Sequence, residues 1–363
     1  MGFKCAIVGL PNVGKSTLFN ALTRAEIAAE NYPFCTIDPN VGVVPVPDPR
    51  LHKIAAIVQP EKTIPTTLEF VDIAGLVAGA SRGEGLGNKF LAHIRETDAI
   101  AHIVRCFESS DVVHVDGRVD PLSDIETIDT ELILADLESA ERMRDKAQRD
   151  MKSGDKEAAA RFNFMQRICQ HLGEGKPLRT MDLDDNDRRR LRALHLITRK
   201  PVMFVANVDE QGFSDNPLLT AITKHADQHG ALLVTICAAI EAEIAMLDES
   251  DRQDFLAELG VQESGLDRMT RAGYELLDLL TFFTVGQKEV KAWTVRRGTV
   301  APRAAGRIHT DFERGFIRAE VIAYEDFIRF DGEQGARDAG KHRLEGKTYV
   351  IQEADVVRFR FNV

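Results

Sequence analysis

Eight residues near the start of the chain, Gly9-Leu-Pro-Asn-Val-Gly14-Lys15-Ser16, follow directly on the apolar run Lys4–Val8 and lead into a helix-compatible stretch at Ser16–Leu22. That junction constrains the fold more than any other feature. A strand that delivers a glycine-rich turn to a helix N-terminus gathers successive backbone N–H groups into a nest for a phosphate. Lysine at the end of the turn reaches the β- and γ-phosphates, and the following hydroxyl suits Mg²⁺. Asn12, Val13, Gly14, Lys15, Ser16 and Thr17 are therefore the expected nucleotide-binding residues. The strand–loop–helix pattern continues through Thr67–Asp72, Phe90–Glu96 and Ala99–Cys106, which predicts an α/β sheet covered by helices.

Asp72 ends an apolar strand, where an acid holds Mg²⁺ directly or through water, and Gly75 follows in Asp72-Ile-Ala-Gly75, placed to offer its N–H to the γ-phosphate. Thr36, in the loop 31–40, is a candidate Mg²⁺ ligand that senses the γ-phosphate. Four glycines lie in Ala78–Gly87, the composition of a segment that moves. Leu76 stands where many P-loop hydrolases carry a glutamine that orients the attacking water. An apolar side chain cannot hold water, so slow turnover is expected.

The base-reading loop is Asn207-Val208-Asp209-Glu210, after the strand-like Pro201–Ala206. A guanine reader uses Asn-Lys-x-Asp, whose aspartate accepts from both N1–H and the exocyclic amine. Glu210 is one methylene too long for that pairing, and Val208 replaces the lysine that flanks the base. A mismatched buried polar edge costs roughly 1–3 kcal/mol, so this loop argues for ATP over GTP. A conventional GTPase remains the first alternative. A nucleotide-gated RNA or ribosome adaptor with incidental hydrolysis is the second.

Between the two halves of this pattern, residues 129–198 change character. Ile128, Leu132, Leu134, Leu137 and then Phe162, Met165, Ile168, Leu172 recur at helical spacing among many charges, and Ser153-Gly154-Asp155 marks a break. An inserted antiparallel helical arm is expected, with two surface helices as the alternative. Residues 1–128 and 199–278 then form the nucleotide domain, and 279–363 a small α+β module rich in strand-like runs. Net charge is −11, but the tail 279–363 holds 15 Lys/Arg against 12 Asp/Glu, or +3, leaving 31 against 45, or −14, elsewhere. Arg296, Arg297, Arg303, Arg307, Arg314 and Arg318, near Trp293, His309 and Phe316, make a candidate RNA surface. His114 is the histidine best placed in sequence to orient water, with a solvent-facing or packing role as the plain alternative. Five scattered cysteines without a Cys-x-x-Cys fit a reducing cytoplasm and buried thiols. Cys35 and Cys237 fall beside proposed nucleotide loops. No apolar run is long enough to span a bilayer, and neither membrane nor DNA is expected as a partner.

With these motifs in hand, the chain closely resembles the YchF/Obg-like ATPase subfamily of the Obg-related P-loop proteins. The matches are Gly9–Thr17, Asn31–Thr36, Asp72–Ala80, Gly83–Gly87, Asn207–Glu210 and Ile308–Val321. The resemblance implies a Ras-like P-loop domain interrupted by a coiled-coil arm, then a C-terminal TGS domain of ubiquitin-like (β-grasp) form. It implies preference for ATP, binding to ribosomes with rRNA or tRNA contact, and roles in translation or stress responses. Carried over residue by residue, it makes Lys15 the phosphate lysine and Ser16 and Thr36 the Mg²⁺ residues, and Asn12 resembles an asparagine that helps hold K⁺. Phe107, Asn207 and Val208 match adenine-pocket positions, with Cys237, Ala238 and Ala239 as the last base-contacting loop. His114 matches a histidine proposed as catalytic.

Overall fold

The computed structural model describes residues 3–27, 40–73, 86–109, 118–150 and 156–362. Thr36, Gly75, Leu76, His114, Cys35 and the break at 153–155 lie outside the described residues, as does most of Ala78–Gly87. Along the chain the elements are β1 (Lys4–Val8), α1 (Lys15–Ile27), β2 (Val41–Pro45), α2 (Pro49–Val58), β3 (Lys62–Ile64), β4 (Thr67–Asp72), α3 (Leu86–Glu96) and β5 (Ala99–Arg105). Then come α4 (Pro121–Asp150), α5 (Lys156–Gly173), α6 (Asp185–Ala193), β6 (Val202–Asn207), α7 (Pro217–His229), β7 (Leu232–Ile236), α8 (Ala238–Ile244), α9 (Glu249–Glu258) and α10 (Gly265–Leu276). The last stretch holds β8 (Leu279–Val285), β9 (Glu289–Arg296), α11 (Ala301–Ile308), α12 (Thr310–Arg314), β10 (Phe316–Ile322), α13 (Tyr324–Arg329), α14 (Glu333–Asp338), β11 (Arg343–Glu345) and β12 (Val356–Phe361).

The chain divides into two compact units. The first is built on a six-stranded sheet of order β2-β4-β1-β5-β6-β7. β1 lies between β4 and β5, all parallel, and β5-β6-β7 continue in parallel. Its central strands β5 and β6 are buried along their whole length, the mark of a sheet covered on both faces. Local chemistry fixes the helix starts. Asn216 accepts from the amides of Leu218 and Leu219 at 3.0 and 3.1 Å, with Pro217 at the first helical position of α7. Asp184 caps α6 in the same way.

The helical insertion starts earlier than the sequence spacing suggested. α4 begins at Pro121 and already buries Ile125 and Ile128 in its first turns. Its far half packs on α5, α6 and the 178–196 segment through Ile133, Ala140, Phe164, Met165, Ile168 and Leu191. Leu134, counted in the apolar stripe from spacing, is 37% exposed, and Ile133 takes the buried place. Asp136 ties α4 to the chain that re-enters the sheet. It accepts from the amides of Ile197 and Thr198 at 2.9 and 2.7 Å and from the Thr198 hydroxyl at 2.7 Å.

The second unit is a six-stranded mixed sheet of order β11-β10-β12-β8-β9-β3. β8 and β9 form a hairpin, and β12 returns parallel to β8 in the middle of the sheet. First and last strands of the module are thus parallel neighbours with α11 on one face, the β-grasp arrangement implied by the resemblance. The assignment of all of 1–128 to the nucleotide domain does not match this division: residues 43–68, which carry α2 and β3 and also the end of β2, cluster with 274–362. β3 extends the second sheet by pairing parallel with β9. α2 buries Leu51 and Ile54 against Phe283, Val290, Val356 and Phe327. A three-residue strand carries no periodicity of its own, so the sequence could not announce where it pairs.

One buried group makes the first unit acid-sensitive. His102 lies fully buried in β5, 5.8 Å from the ring of Phe204, and its Nε2 has no hydrogen-bond partner among the described residues. Burial lowers its pKa to about 4; Asp129 pulls it up, and Arg179, Lys15 and His225 push it down. In the unfolded chain the ring titrates near pH 6.5. Between those values the unfolded state binds more protons, so the stability from the neutral ring is complete above about pH 6.5 and is lost as pH falls toward 4. We expect His102→Leu to recover roughly 3 kcal/mol of the acid loss. Urea midpoints at pH 7 and pH 4.5 check this: equal losses in both proteins would refute it.

Candidate functional site

β1 feeds directly into Gly9, and α1 begins at Lys15, so the glycine turn sits between a strand end and a helix start. Asn12 and Gly14 both take left-handed backbone, at φ 63° and 96°. Asparagine tolerates that region better than most residues, and glycine adopts it freely. At Gly14 a side chain would also strike the carboxamide of Asn207, so only glycine fits there. Lys15 is 7% exposed and its Nζ donates to the carbonyls of Gly9 and Leu10 at 2.9 and 2.6 Å. Burial lowers its pKa to about 8, against the pull of Asp72. Ser16 and Thr17, at the start of α1, are exposed.

Asp72 stands level with Ile7 in the parallel β1–β4 pairing, beside the strand that enters the glycine turn. Burial raises its carboxyl pKa and Lys15 draws it back down. Its Oδ1 is buried with no hydrogen-bond partner among the described residues. An orphaned carboxylate oxygen coupled electrostatically to the phosphate lysine fits a divalent cation.

A cavity of about 640 Å³ opens over the turn. The structure brings Asn12, Gly14, Lys15, Ser16 and Thr17 into its wall. On the far side it adds Phe107, Asn207, Val208 and Glu210, then Cys237, Ala238 and Ala239. Val13 is buried beneath. Asn207 joins the two sides: its Nδ2 donates to the Val13 carbonyl at 2.9 Å and its Oδ1 accepts from the Ala238 amide at 3.0 Å. The carboxamide therefore holds the base loop against the phosphate loop. Val208 is buried while Asp209 and Glu210 are exposed on the rim.

Asp209, from the base-reading loop, also lines the cavity; sequence reasoning missed Gln211, which lines it too, and Arg105, which shapes it. Arg105 is 1% exposed, its Nε donates to the Phe107 carbonyl at 3.0 Å, and its guanidinium lies 4.6 Å from the Phe107 ring centre. It holds the half-buried Phe107 from behind by hydrogen bond and cation–π contact. The available signal was an arginine closing a largely apolar strand, two residues before an aromatic.

Of the thiols expected to be buried, the four among the described residues are so: Cys5, Cys106, Cys169 and Cys237 are free and buried, and burial pushes Cys5 and Cys106 up to about 12. The basic surface is more scattered than the sequence suggested. Arg303 and Arg307 share a face of α11, Arg297 pairs with Asp278 at 3.1 Å, and Arg318 lies 3.7 Å from Glu320, while Arg296 ends β9 and Arg314 ends α12. Phe316, read as a possible stacking partner, is in the core, and His309 caps α12. Glu320, Glu333 and His342 come together closely enough for a metal. However, Arg360 grips Glu320 through two bonds and Arg358 and Arg337 hold Glu333, so cations already fill those acids.

Comparison with known proteins agrees with this geometry. A family described as 50S ribosome-binding GTPase matches residues 4–155. A C-terminal YchF-GTPase family, described as a protein of unknown function, matches 279–362. Proteins called ribosome-binding ATPase YchF are 61% identical in Haemophilus influenzae, 57% in Escherichia coli O157:H7 and 52% in Bacillus subtilis, each over 100% of both chains. The chain belongs to the YchF family. The solved structure of the Schizosaccharomyces pombe YchF GTPase superposes with a TM-score of 0.90 at 36% identity, over 99% of this chain and 98% of that one. A GTP-binding protein from Pyrococcus horikoshii shares the fold at TM-score 0.64 and 18% identity. YchF relatives thus carry both ATPase and GTPase in their names, which leaves the choice of base to the pocket itself.

Proposed function

We propose that this YchF protein is a Mg²⁺-dependent switch that binds ATP in preference to GTP, hydrolyses it slowly, and acts on the ribosome in the cytoplasm. The observation that carries the choice of base is the rim of the cavity. Val208 is buried where a guanine reader has lysine, and Glu210 is exposed one methylene away from an aspartate's reach. The ribosome enters through the relatives' names, and the helical pair of 129–198 and the arginines of the C-terminal unit are the surfaces we assign to it, with rRNA or tRNA as the contacted chemistry.

Lys15 leaves the Gly9 and Leu10 carbonyls to pair with the β- and γ-phosphates. The backbone N–H groups of residues 12–16 surround the β-phosphate. Water attacks the γ-phosphorus in line; the new P–O bond forms as the bond to the β–γ bridging oxygen breaks, and the proton passes to the released phosphate. Charge on the departing diphosphate is met by Lys15 and the loop amides, already in place before the reaction. Ser16 and Asp72 would hold the Mg²⁺, with Thr36, and the ion would supply positive charge against the phosphates. Asn12 would add a K⁺ ligand. Phe107, Val208 and the 237–239 loop enclose the base. Leu76 in place of glutamine supports slow turnover without a partner.

Calorimetric titration of nucleotide-free protein with ATP and GTP, in Mg²⁺ and K⁺, tests the reading. ATP is expected to bind at least tenfold tighter, and Val208→Lys combined with Glu210→Asp to narrow or reverse that ratio by about 1–3 kcal/mol. Tighter GTP binding by the unaltered protein would overturn it in favour of a conventional GTPase.

A further inference from the structure

Away from the nucleotide cleft, a second cavity of about 440 Å³ opens on the first unit, between α4, the last turn of α3 and the segment after α6. Arg95, Arg142, Lys146 and His195 line it, and no acidic residue does. The rest of the lining is apolar apart from one hydroxyl: Met143, Leu194, Leu196 and Ser139. The helical segment 129–198 carries 14 Lys/Arg against 14 Asp/Glu, so the all-basic charged lining is a local concentration within a segment of no net charge.

Its parts are positioned by the fold. Ser139, Arg142, Met143 and Lys146 fall at three- and four-residue steps and so share one face of α4. Ser139 is 8% exposed; its hydroxyl donates to the Ala135 carbonyl at 3.0 Å and accepts from Arg95 Nη2 at 3.1 Å. Arg95 is thereby fixed at the cost of one of its five donors. Arg142 pairs with Glu138 at 3.1 Å, but both side chains are more than 60% exposed, a solvated pair that a stronger anion displaces. His195 takes left-handed backbone at φ 52°, a costly choice for a non-glycine residue. The chain just beyond it is pinned by Asp136 through Ile197 and Thr198, which holds that conformation in place.

We propose that this cavity is a second anion site, separate from the P-loop, for a small phosphate monoester with an aromatic body. The cations at the rim match a dianionic phosphate, Arg95 and Arg142 offering forked donors and Lys146 a point charge. Met143, Leu194 and Leu196 supply the apolar floor for a ring, and the volume lies in the range of small-ligand pockets.

The test is calorimetry on the full-length protein carrying one equivalent of Mg²⁺-ADP, titrated with 1-naphthyl phosphate, with neutral 1-naphthol in parallel. We expect saturable one-to-one binding of the phosphate, at least tenfold weaker in Arg142→Glu and in Lys146→Glu and unchanged in Lys15→Ala. Both reversed residues are exposed, so both variants should fold. His195→Gly removes the backbone cost, so its thermal midpoint should hold or rise while binding weakens severalfold. The proposal is overturned by any of three results: no saturable heat, naphthol binding as tightly as the phosphate, or affinity indifferent to both charge reversals. Loss of binding in Lys15→Ala would overturn it too, by placing the probe in the P-loop.

Discussion

Lys15→Ala is expected to lower nucleotide hydrolysis by roughly 100-fold or more, the scale of losing one charge-stabilising donor from a preorganised site. The residue does two jobs that the variant separates. In this structure its ammonium satisfies two carbonyls of its own loop and offsets the buried charge of Asp72. Removing it leaves two acceptors short of a donor and lets the Asp72 carboxyl rise further, so some loss of stability, about 1–3 kcal/mol, should accompany the loss of activity. A titration signature distinguishes the phosphate role from the structural one. Lys15 sits at about 8 without nucleotide. Phosphates favour the charged form and raise it again. Above pH 8 binding must then take up a proton, so ATP affinity should fall as pH rises past 8. Binding heats in two buffers of different ionisation enthalpy should show net proton uptake at pH 8.5 that Lys15→Ala lacks. Hydrolysis within threefold of the unaltered protein would remove Lys15 from the phosphate site.

What the sequence made legible follows from how local each signal is. The phosphate loop is contiguous, and every contact that defines it lies within a few residues. Asn207 was readable as a base-loop residue because an apolar strand precedes it; its bonds to Val13 and Ala238 are the long-range consequence. Arg105 was not readable, because its role is to support a neighbour's ring from the buried side, and nothing in spacing says which side of a strand end a long cation will take. The helical insertion was recognised by period, but the choice of Leu134 over Ile133 turns on a single position of helix phase, and the core it faces was not yet known. The largest gap was residues 43–68. Their apolar positions, Leu51, Ile54, Ile57 and Val58, announce an amphipathic helix, yet a helical stripe does not name the sheet that covers it. The nearest sheet in sequence was the wrong one.

That misplacement has a direct experimental consequence. A fragment of residues 274–363 is expected not to form a cooperatively folded domain, although it contains almost all of the C-terminal sheet. Without residues 43–68, strand β9 loses its parallel partner β3 and presents an open edge. The cluster of Phe283, Val290, Ala292, Ile322 and Phe327 loses the cover of Leu51 and Ile54, each worth about 1.5–3 kcal/mol when fully buried. Arg50 no longer bridges Asp48 and Glu353, at 2.8 and 2.7 Å, and Thr294 loses Thr66, though Tyr274 stays bonded to it at 3.1 Å. Against a domain stability of about 5–15 kcal/mol, losing two anchors, a strand and their buried partners' shielding is decisive. The fragment should aggregate or give poorly dispersed amide spectra. Joining 43–68 to 274–363 through a flexible linker should restore a sharp urea transition. In that joined fragment Leu51→Ala should cost about 2–5 kcal/mol, as for a buried leucine that leaves a cavity. Should 274–363 alone unfold cooperatively at the same urea midpoint as the joined fragment, α2 and β3 are passengers on the C-terminal sheet and not part of its core.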